Sequence, residues 1–143
     1  MTTTLNPSII GQVEKHHTAI LTRALAGTSV DEKQWITLNQ ALAADAPVER
    51  TAHIARVAGM TQWPPASVET ALVALVGAGL VAELPGARIE VPDAGRALVA
   101  QVRGETGAIV ERAYSTVSAE DRAIAARVLV TITARLADEL AHV

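Results

Sequence analysis

The stretch "WPPASVETALVALVGAGLVAELPGARIEVP", residues 63–92, contains four local structural signals in order along the chain. Two prolines can begin a helix but cannot lie inside one, so a helix is predicted from Pro65 to about Ala78. Gly79 is a stop signal directly after that helix. The runs "LVAEL" and "ARIEV" flank Pro85-Gly86, a pair typical of a tight turn, and therefore predict a short β-hairpin.

The residues before this stretch predict three further helices. Apolar residues recur at three- and four-residue steps over residues 5–26, and Gly27 ends this first helix. Ser29 and Glu32 form a capping box that starts a second helix. "VERTAHIARVAGM", residues 48–60, predicts a short third helix that stops at Gly59.

The residues after the hairpin predict two long helices. One begins at Pro92 and Asp93 and continues to about Val117. Ser118 and Asp121 cap the last helix, along which apolar residues recur at four-residue steps. The chain is therefore expected to be mainly α-helical with one hairpin.

Composition narrows the class of protein. The chain has 143 residues, enough for one domain or two small lobes, and it contains no cysteine, which excludes disulfides, zinc fingers and thiol catalysis. "MTTTLNPSIIGQV" lacks the features of a secretory signal, and no apolar stretch is long enough to span a bilayer. We therefore expect a soluble, cytoplasmic protein with no membrane partner. The formal charge of −3 argues against a general polyanion binder.

Four fragments together resemble the MarR family of winged-helix regulators, and the match covers nearly the whole chain. "QWITLNQAL" (34–42) resembles the second helix of the family and "IARVAGM" (54–60) the helix before the turn. "SVETALVALVGAGLV" (67–81) is similar to the recognition helix. "VPDAGRAL" (91–98) resembles the segment that returns from the wing into the dimerisation helix.

The resemblance implies a mainly α, winged helix-turn-helix fold with a helical dimerisation region formed by the N- and C-terminal helices. Residues 31–92 would form the DNA-binding lobe, and residues 1–30 with 93–143 the dimerisation region. The implied function is transcriptional regulation by a homodimer that binds double-stranded DNA at a pseudo-palindromic operator. A small apolar or phenolic effector would modulate this binding, and no cofactor is implied.

The same resemblance assigns candidate DNA contacts. Polar residues of the turn and of the fourth helix would face the major groove, and the wing would contact the minor groove or the backbone. The lobe supplies two further cations. The candidate DNA-binding residues are Arg50, Arg56, Thr61, Gln62, Ser67, Thr70 and Arg88.

The sequence also departs from the family. Residues 63–84 contain no Lys or Arg, and Thr70 and Ala74 occupy positions that are often basic in the family. The wing is short, and residues 45–92 carry three cations against five anions, a net charge of −2. Glu69, expected in the first turn of its helix, is either a helix-start residue or a group that repels phosphate. The alternative function is therefore a MarR-like dimer with little DNA affinity that serves as a ligand-binding or protein-interaction module.

Three aromatic and histidine positions have two interpretations each. His17 and Trp35 could line an effector pocket, Trp35 as a flat apolar wall and His17 through a hydrogen bond. A large ring on an amphipathic stripe more often belongs to the core, and we favour the core for Trp35. Trp63 could stack on a sugar, a base or a protein partner, or it could attach the turn to the third helix, and we favour attachment.

The sequence supports neither a metal site nor catalysis. His16 and His17 point about 100° apart on a helix, so at most one could share a site with His53, and no HxxxH motif is present. No nucleophile elbow, phosphate loop or dinucleotide fingerprint occurs. We therefore expect a protein that is not an enzyme.

Overall fold

The computed structural model describes residues 2–142, and this part of the chain forms six helices and three short strands. The predicted order of helices and hairpin is confirmed, with one additional strand before the third helix. The chain divides into two compact units, one ending at Thr106 and the other beginning at Gly107. The elements are α1 (Pro7–Leu25), α2 (Glu32–Ala43), β1 (Val48–Glu49), α3 (Arg50–Thr61), α4 (Pro65–Gly77), β2 (Ala82–Leu84), β3 (Arg88–Glu90), α5 (Asp93–Tyr114) and α6 (Ala119–Ala141).

A small antiparallel sheet connects the hairpin to the start of α3. Its strand order is β1-β3-β2, and Val48 of β1 lies opposite the fully buried Ile89 of β3. The third helix, predicted over residues 48–60, therefore begins two residues later, at Arg50. A strand of two residues is too short to show the alternation by which strands are found in a sequence.

The start of α2 differs from the prediction. Asp31, not Ser29, is the N-cap, because its carboxylate accepts a hydrogen bond from the Gln34 amide at 2.8 Å. The Gln34 side chain accepts in return from the Asp31 amide at 3.0 Å, which completes a capping box. The Thr28 hydroxyl instead donates to the Leu25 carbonyl at the end of α1, so Ser29 lies in the connecting loop.

The end of α3 also differs. Gly59 was predicted as the stop, but the helix continues to Thr61. Gln62 then adopts the left-handed conformation with φ of 61°, and its amide donates to the Ala58 carbonyl at 2.8 Å. Its side-chain nitrogen donates to the Gly59 carbonyl at 2.6 Å. A glutamine therefore closes the helix at a position where glycine is usual.

The core of the first unit lies between α2, α3, α4 and the hairpin. One face of α4 is buried through Val68, Leu72 and Leu75, each at most 1% exposed. Leu38 of α2 and Val57 of α3 pack in the same cluster and are fully buried. Burial of this apolar area fixes the orientation of α4 relative to the helices before it.

The first turn of α5 passes very close to the segment after α4. A Cβ atom at Gly95 would lie 2.3 Å from the Leu80 carbonyl oxygen and 2.6 Å from Cγ1 of Val91. Only glycine allows the two backbones to approach this closely. Gly95 therefore sets the position at which α5 leaves the hairpin.

The second unit contains α6, in which no described residue is buried. The helix begins as predicted, since the Ser118 hydroxyl accepts from the Asp121 amide at 3.1 Å. No described helix has both the length and the apolar content needed to cross a membrane. Large apolar side chains are nevertheless exposed along α6: Ile124, Val128, Leu129, Val130, Ile132, Leu136 and Leu140.

Candidate nucleic-acid interface

The exposed face of α4 carries a mixture of polar and apolar side chains. Glu69, Thr70 and Val73 are exposed, opposite the face that is buried in the core. The Thr70 hydroxyl donates to the Ala66 carbonyl at 2.9 Å, so it is held along the helix. Ser67 is half-buried near the start of α4. The structure therefore presents Thr70 at the surface and keeps Ser67 partly covered.

The turn between α3 and α4 is held by its own polar groups. The Thr61 hydroxyl donates to the Val57 carbonyl at 2.7 Å and accepts from the Trp63 amide at 3.3 Å. Gln62 is exposed beside it. Thr61 therefore stabilises the turn, and Gln62 is the more accessible of these two candidate DNA contacts.

A shallow cavity separates the first turns of α2 and α4. Its volume is about 200 Å³, and it brings two candidate residues of α4, Ser67 and Thr70, next to Lys33 of α2. Its complete lining is Asp31, Lys33, Gln34, Ser67, Thr70 and Ala71. The sequence alone does not identify Lys33 as a site residue, because no local pattern indicates that α2 begins beside α4.

Lys33 also contacts the turn before α4. Its ammonium nitrogen lies 5.6 Å from the centre of the Trp63 ring, within the range of a cation–π interaction. Trp63 itself is half-buried and packs against the core cluster. The ring thus attaches the turn to the core and holds a cation next to α4.

Arg50, a candidate DNA contact, pairs with a carboxylate of α4. Its Nη1 atom lies 3.4 Å from Oε1 of Glu69, and the side chains are 27% and 55% exposed respectively. The interpretation of Glu69 as a helix-start residue is wrong, because α4 begins at Pro65 and its first turn contains no acidic residue. The carboxylate lies in the second turn and faces Arg50.

The other two candidate cations are hydrogen bonded within the lobe. Arg56 donates from Nη1 to the Gln40 side chain at 3.1 Å and from Nη2 to the Gln40 carbonyl at 3.0 Å. Arg88 donates from Nε to the Pro85 carbonyl at the tip of the hairpin at 3.3 Å. Both side chains remain exposed, so either can also contact a phosphate.

The lobe is acidic despite these cations. Residues 31–92 carry four cations, Lys33 included, against seven anions, for a net charge of −3. Non-specific attraction to DNA depends on cations that meet phosphates. Any contact between this lobe and DNA must therefore rely on a few well-placed side chains.

His53 is buried at the contact of α3 with α2. The residue is 2% exposed, and its Nε2 donates to the Thr37 carbonyl at 3.0 Å. Among the described residues its Nδ1 has no hydrogen-bond partner. Burial lowers the pKa of His53, the bond to Thr37 acts in the opposite direction, and the positive charge of Arg56 adds to the lowering. A neutral imidazole with the proton on Nε2 fits this position.

The candidate effector residues lie in the first unit. Trp35 is 6% exposed and belongs to the core cluster, and His17 is half-buried on α1. A role for either in effector binding stays a prediction. Over residues 2–142, no group of three or more His, Asp or Glu side chains is placed to hold a metal ion.

Comparison with known proteins identifies the fold. No protein-family model matches the sequence, and no curated protein matches it. Among solved structures, a MarR-family transcriptional regulator of Silicibacter pomeroyi has a TM-score of 0.76 at 16% identity over 90% of this chain and 88% of that one. Reduced MarR of Escherichia coli has a TM-score of 0.68 at 17% identity, with coverages of 92% and 95%.

A third similar structure contains a small molecule. It is a Mycobacterium tuberculosis MarR-family protein in complex with p-aminosalicylic acid, with a TM-score of 0.67 at 18% identity over 91% of this chain and 99% of that one. The resemblance in the sequence is thereby confirmed: the chain has the winged-helix fold of MarR proteins.

Proposed function

We propose that this chain, which has the MarR fold, is a DNA-binding transcriptional regulator that acts as a homodimer on a pseudo-palindromic operator. The observation that carries the proposal is the structure around α4. One face of this helix is buried in the core, Thr70 is exposed on the opposite face, Ser67 is half-buried near the start of the helix, and Gln62 is exposed in the turn before it. A rigid helix with exposed polar side chains at its N-terminal end suits insertion into a major groove.

The proposed contacts divide into two kinds. Gln62, Ser67 and Thr70 recognise base edges, since amide and hydroxyl groups can donate to and accept from bases. Lys33, Arg56 and Arg88 contact phosphates and set the register of the helix on the duplex. With so few cations per subunit, the dependence of affinity on salt is shallow for this class of protein.

The exposed apolar residues of α6 support a homodimer. On the four-residue stripe of α6, Leu140 is 60% exposed and Leu136 59%. Val13 of α1 is also 52% exposed. Exposed apolar patches of this kind are typical of protein–protein contacts, and a twofold axis would present the same surface on both partners. In the dimer, the two copies of α4 enter successive major grooves.

Regulation by an effector is the third part of the proposal. A MarR-type protein of M. tuberculosis binds p-aminosalicylic acid, a small phenolic molecule. We expect a small apolar or phenolic effector to bind this chain near His17 and Trp35 and to change the spacing of the two recognition helices. The protein would act in the cytoplasm.

Fluorescence anisotropy with labelled duplexes from the region upstream of its own gene tests DNA binding. The wild type is expected to bind at low salt and to weaken between about 50 and 200 mM salt. Lys33→Ala should weaken binding to every duplex and reduce the salt slope by about one per subunit. Lys15→Ala removes an exposed lysine of α1 and is the matched control, with affinity unchanged. No binding at low salt would contradict the proposal.

The acidic lobe favours a second candidate, a MarR-like dimer with little DNA affinity that binds a ligand or a protein. The net charge of −3 over residues 31–92 and the carboxylate on α4 both oppose phosphate. This candidate predicts a stable dimer that binds no duplex at low salt but binds an effector. Trp fluorescence during titration with salicylate-type compounds tests that binding, because the effector is proposed to bind near Trp35, a residue of the core cluster.

A further inference from the structure

The exposed face of α4 contains one carboxylate and one branched apolar side chain, and between residues 63 and 84 the chain has no cation. We propose that Glu69, positioned by Arg50, accepts a hydrogen bond from the N4 amino group of a cytosine, and that Val73 contacts the methyl group of a thymine. The inference rests on the proposed DNA-binding function and names the bases that the recognition helix selects.

Stability does not explain the position of Glu69. A carboxylate in the first turn of a helix interacts favourably with the helix dipole. Glu69 lies beyond the first turn of α4 and does not gain this stabilisation. Its side chain pairs with Arg50 at 3.4 Å, and the two side chains are 55% and 27% exposed respectively. Exposed pairs of this kind contribute little to the stability of the fold. A function in binding accounts better for a carboxylate at the centre of this face.

Arg50 is well placed to orient that carboxylate. It is the first residue of α3, and its backbone amide donates to the Ala87 carbonyl of the hairpin at 2.9 Å. Its side chain then reaches across to Oε1 of Glu69. One carboxylate oxygen is thereby held, the second oxygen can accept another donor, and the guanidinium offsets repulsion from nearby phosphates.

The chemistry of a carboxylate selects cytosine. An ionised carboxylate can only accept hydrogen bonds. In the major groove, guanine presents two acceptors, whereas cytosine presents the N4 amino donor. Glu69 would therefore be attracted by cytosine and repelled by guanine at the same position, which gives a preference of about 5- to 150-fold.

Val73 lies one helical turn after Glu69 on the same face. It is 59% exposed, so packing within the lobe does not explain its apolar side chain. Residues four positions apart on a helix are neighbours on its surface. Apolar side chains recognise the thymine methyl group in the major groove. Glu69 and Val73 together favour a half-site with a cytosine and a thymine close to each other.

Selection from a random pool of duplexes, followed by anisotropy with the selected and single-base variant duplexes, tests this assignment. The wild type is expected to select cytosine at one position of each half-site. Glu69→Gln should lose at least about fivefold of this preference and gain affinity for adenine, which pairs well with an amide. Val73→Ala should instead weaken the preference for thymine.

Glu83→Gln is the matched control, because Glu83 is exposed on β2, away from the helix. It removes the same charge and should raise affinity for all duplexes alike without a change in preference. Arg50→Ala should reduce discrimination of cytosine when Glu69 is present. It should leave preference unchanged in the Glu69→Gln background, a non-additivity that a purely structural role would not produce.

The outcomes separate the two proposals. Binding by the wild type with identical base preferences in Glu69→Gln and Glu83→Gln overturns the role of Glu69 while DNA binding stands. Failure of the wild type to enrich any duplex overturns the proposed function and, with it, the base assignment. A wild-type preference for guanine at the affected position also overturns the assignment, because a carboxylate cannot donate to guanine.

Discussion

Two apolar-rich helices of this protein have opposite environments. In α4, Val68, Leu72 and Leu75 are at most 1% exposed, because the apolar residues on one side of the helix complete the core of the lobe. In α6 no described residue is buried, and Leu136 remains 59% exposed. The core around α4 is therefore complete within one chain, whereas the large apolar side chains of α6 stay exposed and are available to a partner.

The largest expected effect is the loss of dimer affinity when a charged side chain is introduced on α6. Ile132 lies at the middle of the four-residue stripe, and Ile132→Asp would place one carboxylate on each side of a twofold interface. Losing two apolar contacts of about 1.5–3 kcal/mol each should raise the dimer dissociation constant by roughly 100-fold or more. Sedimentation velocity over a concentration series measures this change.

Val130→Asp is the control for this substitution. Val130 is more exposed than Ile132, at 69% against 36%, and it lies roughly 160° away around the helix. The dimer should therefore survive Val130→Asp. Equal dissociation of both variants would show that the stripe does not by itself define the interface. If both variants remained fully dimeric, the apolar residues of α6 would not lie in the interface.

The next largest expected effect is the loss of stability of the lobe when Gly95 is replaced. In Gly95→Ala the new methyl group would overlap the Leu80 carbonyl oxygen, so the backbone of α5 or of the segment after α4 must move. Overpacking of this kind should cost about 3 kcal/mol of unfolding free energy, measured by urea denaturation at a fixed protein concentration.

Gly104→Ala makes the same change in the same helix where nothing lies within 4 Å of the new Cβ. It should stabilise the protein by about 0.5–1 kcal/mol, since alanine favours a helix over glycine. A similar loss of stability in both variants would contradict the prediction, because it would show that the contact with Leu80 is not what makes Gly95 sensitive to substitution.

The lobe should also lose stability in acid through His53. Its pKa is lowered in the folded state, so near the ordinary value of about 6.5 the unfolded chain binds more protons. This contribution to stability is fully present above pH about 6.5 and decreases as the pH falls toward the folded-state pKa, by at most about 1.4 kcal/mol per pH unit. Urea denaturation across this pH range measures the slope.

His53→Gln retains a donor for the Thr37 carbonyl but cannot titrate, so its slope should be smaller than that of the wild type. His16→Gln changes an exposed histidine of α1 and should keep the wild-type slope. A wild-type slope in His53→Gln would assign the pH dependence to other groups.

The sequence predicted what depends on local patterns. Pro65 starts α4, Ser118 caps α6, and Pro85-Gly86 lies between two strands, because prolines, caps and tight turns act over a few residues. The order of these elements then indicated the MarR fold.

Contacts between distant residues could not be predicted in this way. Lys33 lies 30 positions before Trp63, and Arg50 lies 19 positions before Glu69, so no periodicity links the partners. Both contacts change the candidate site: one supplies a cation beside α4, and the other orients its carboxylate. The charge of the site was therefore predictable from composition, but its arrangement was not.

The smallest expected effect concerns the start of α2, where the cap predicted from the local sequence differs from the cap in the structure. "TSVDEKQ", residues 28–34, contains two possible capping boxes, Ser29 with Glu32 and Asp31 with Gln34. The second forms because the Thr28 hydroxyl, bonded to the Leu25 carbonyl, extends the turn after α1, and because Val30 is buried. Asp31→Ala should therefore cost about 1 kcal/mol of unfolding free energy.

Ser29→Ala should change stability by less than about 0.5 kcal/mol, since Ser29 is an exposed loop residue. Thermal unfolding of the two variants side by side resolves this difference. The Asp31 cap also places Lys33 in the first turn of α2, beside Ser67. If Asp31→Ala frays that turn, Lys33 keeps its charge but loses its fixed position. Asp31→Ala should then weaken DNA binding, as Lys33→Ala does, although it removes a negative charge.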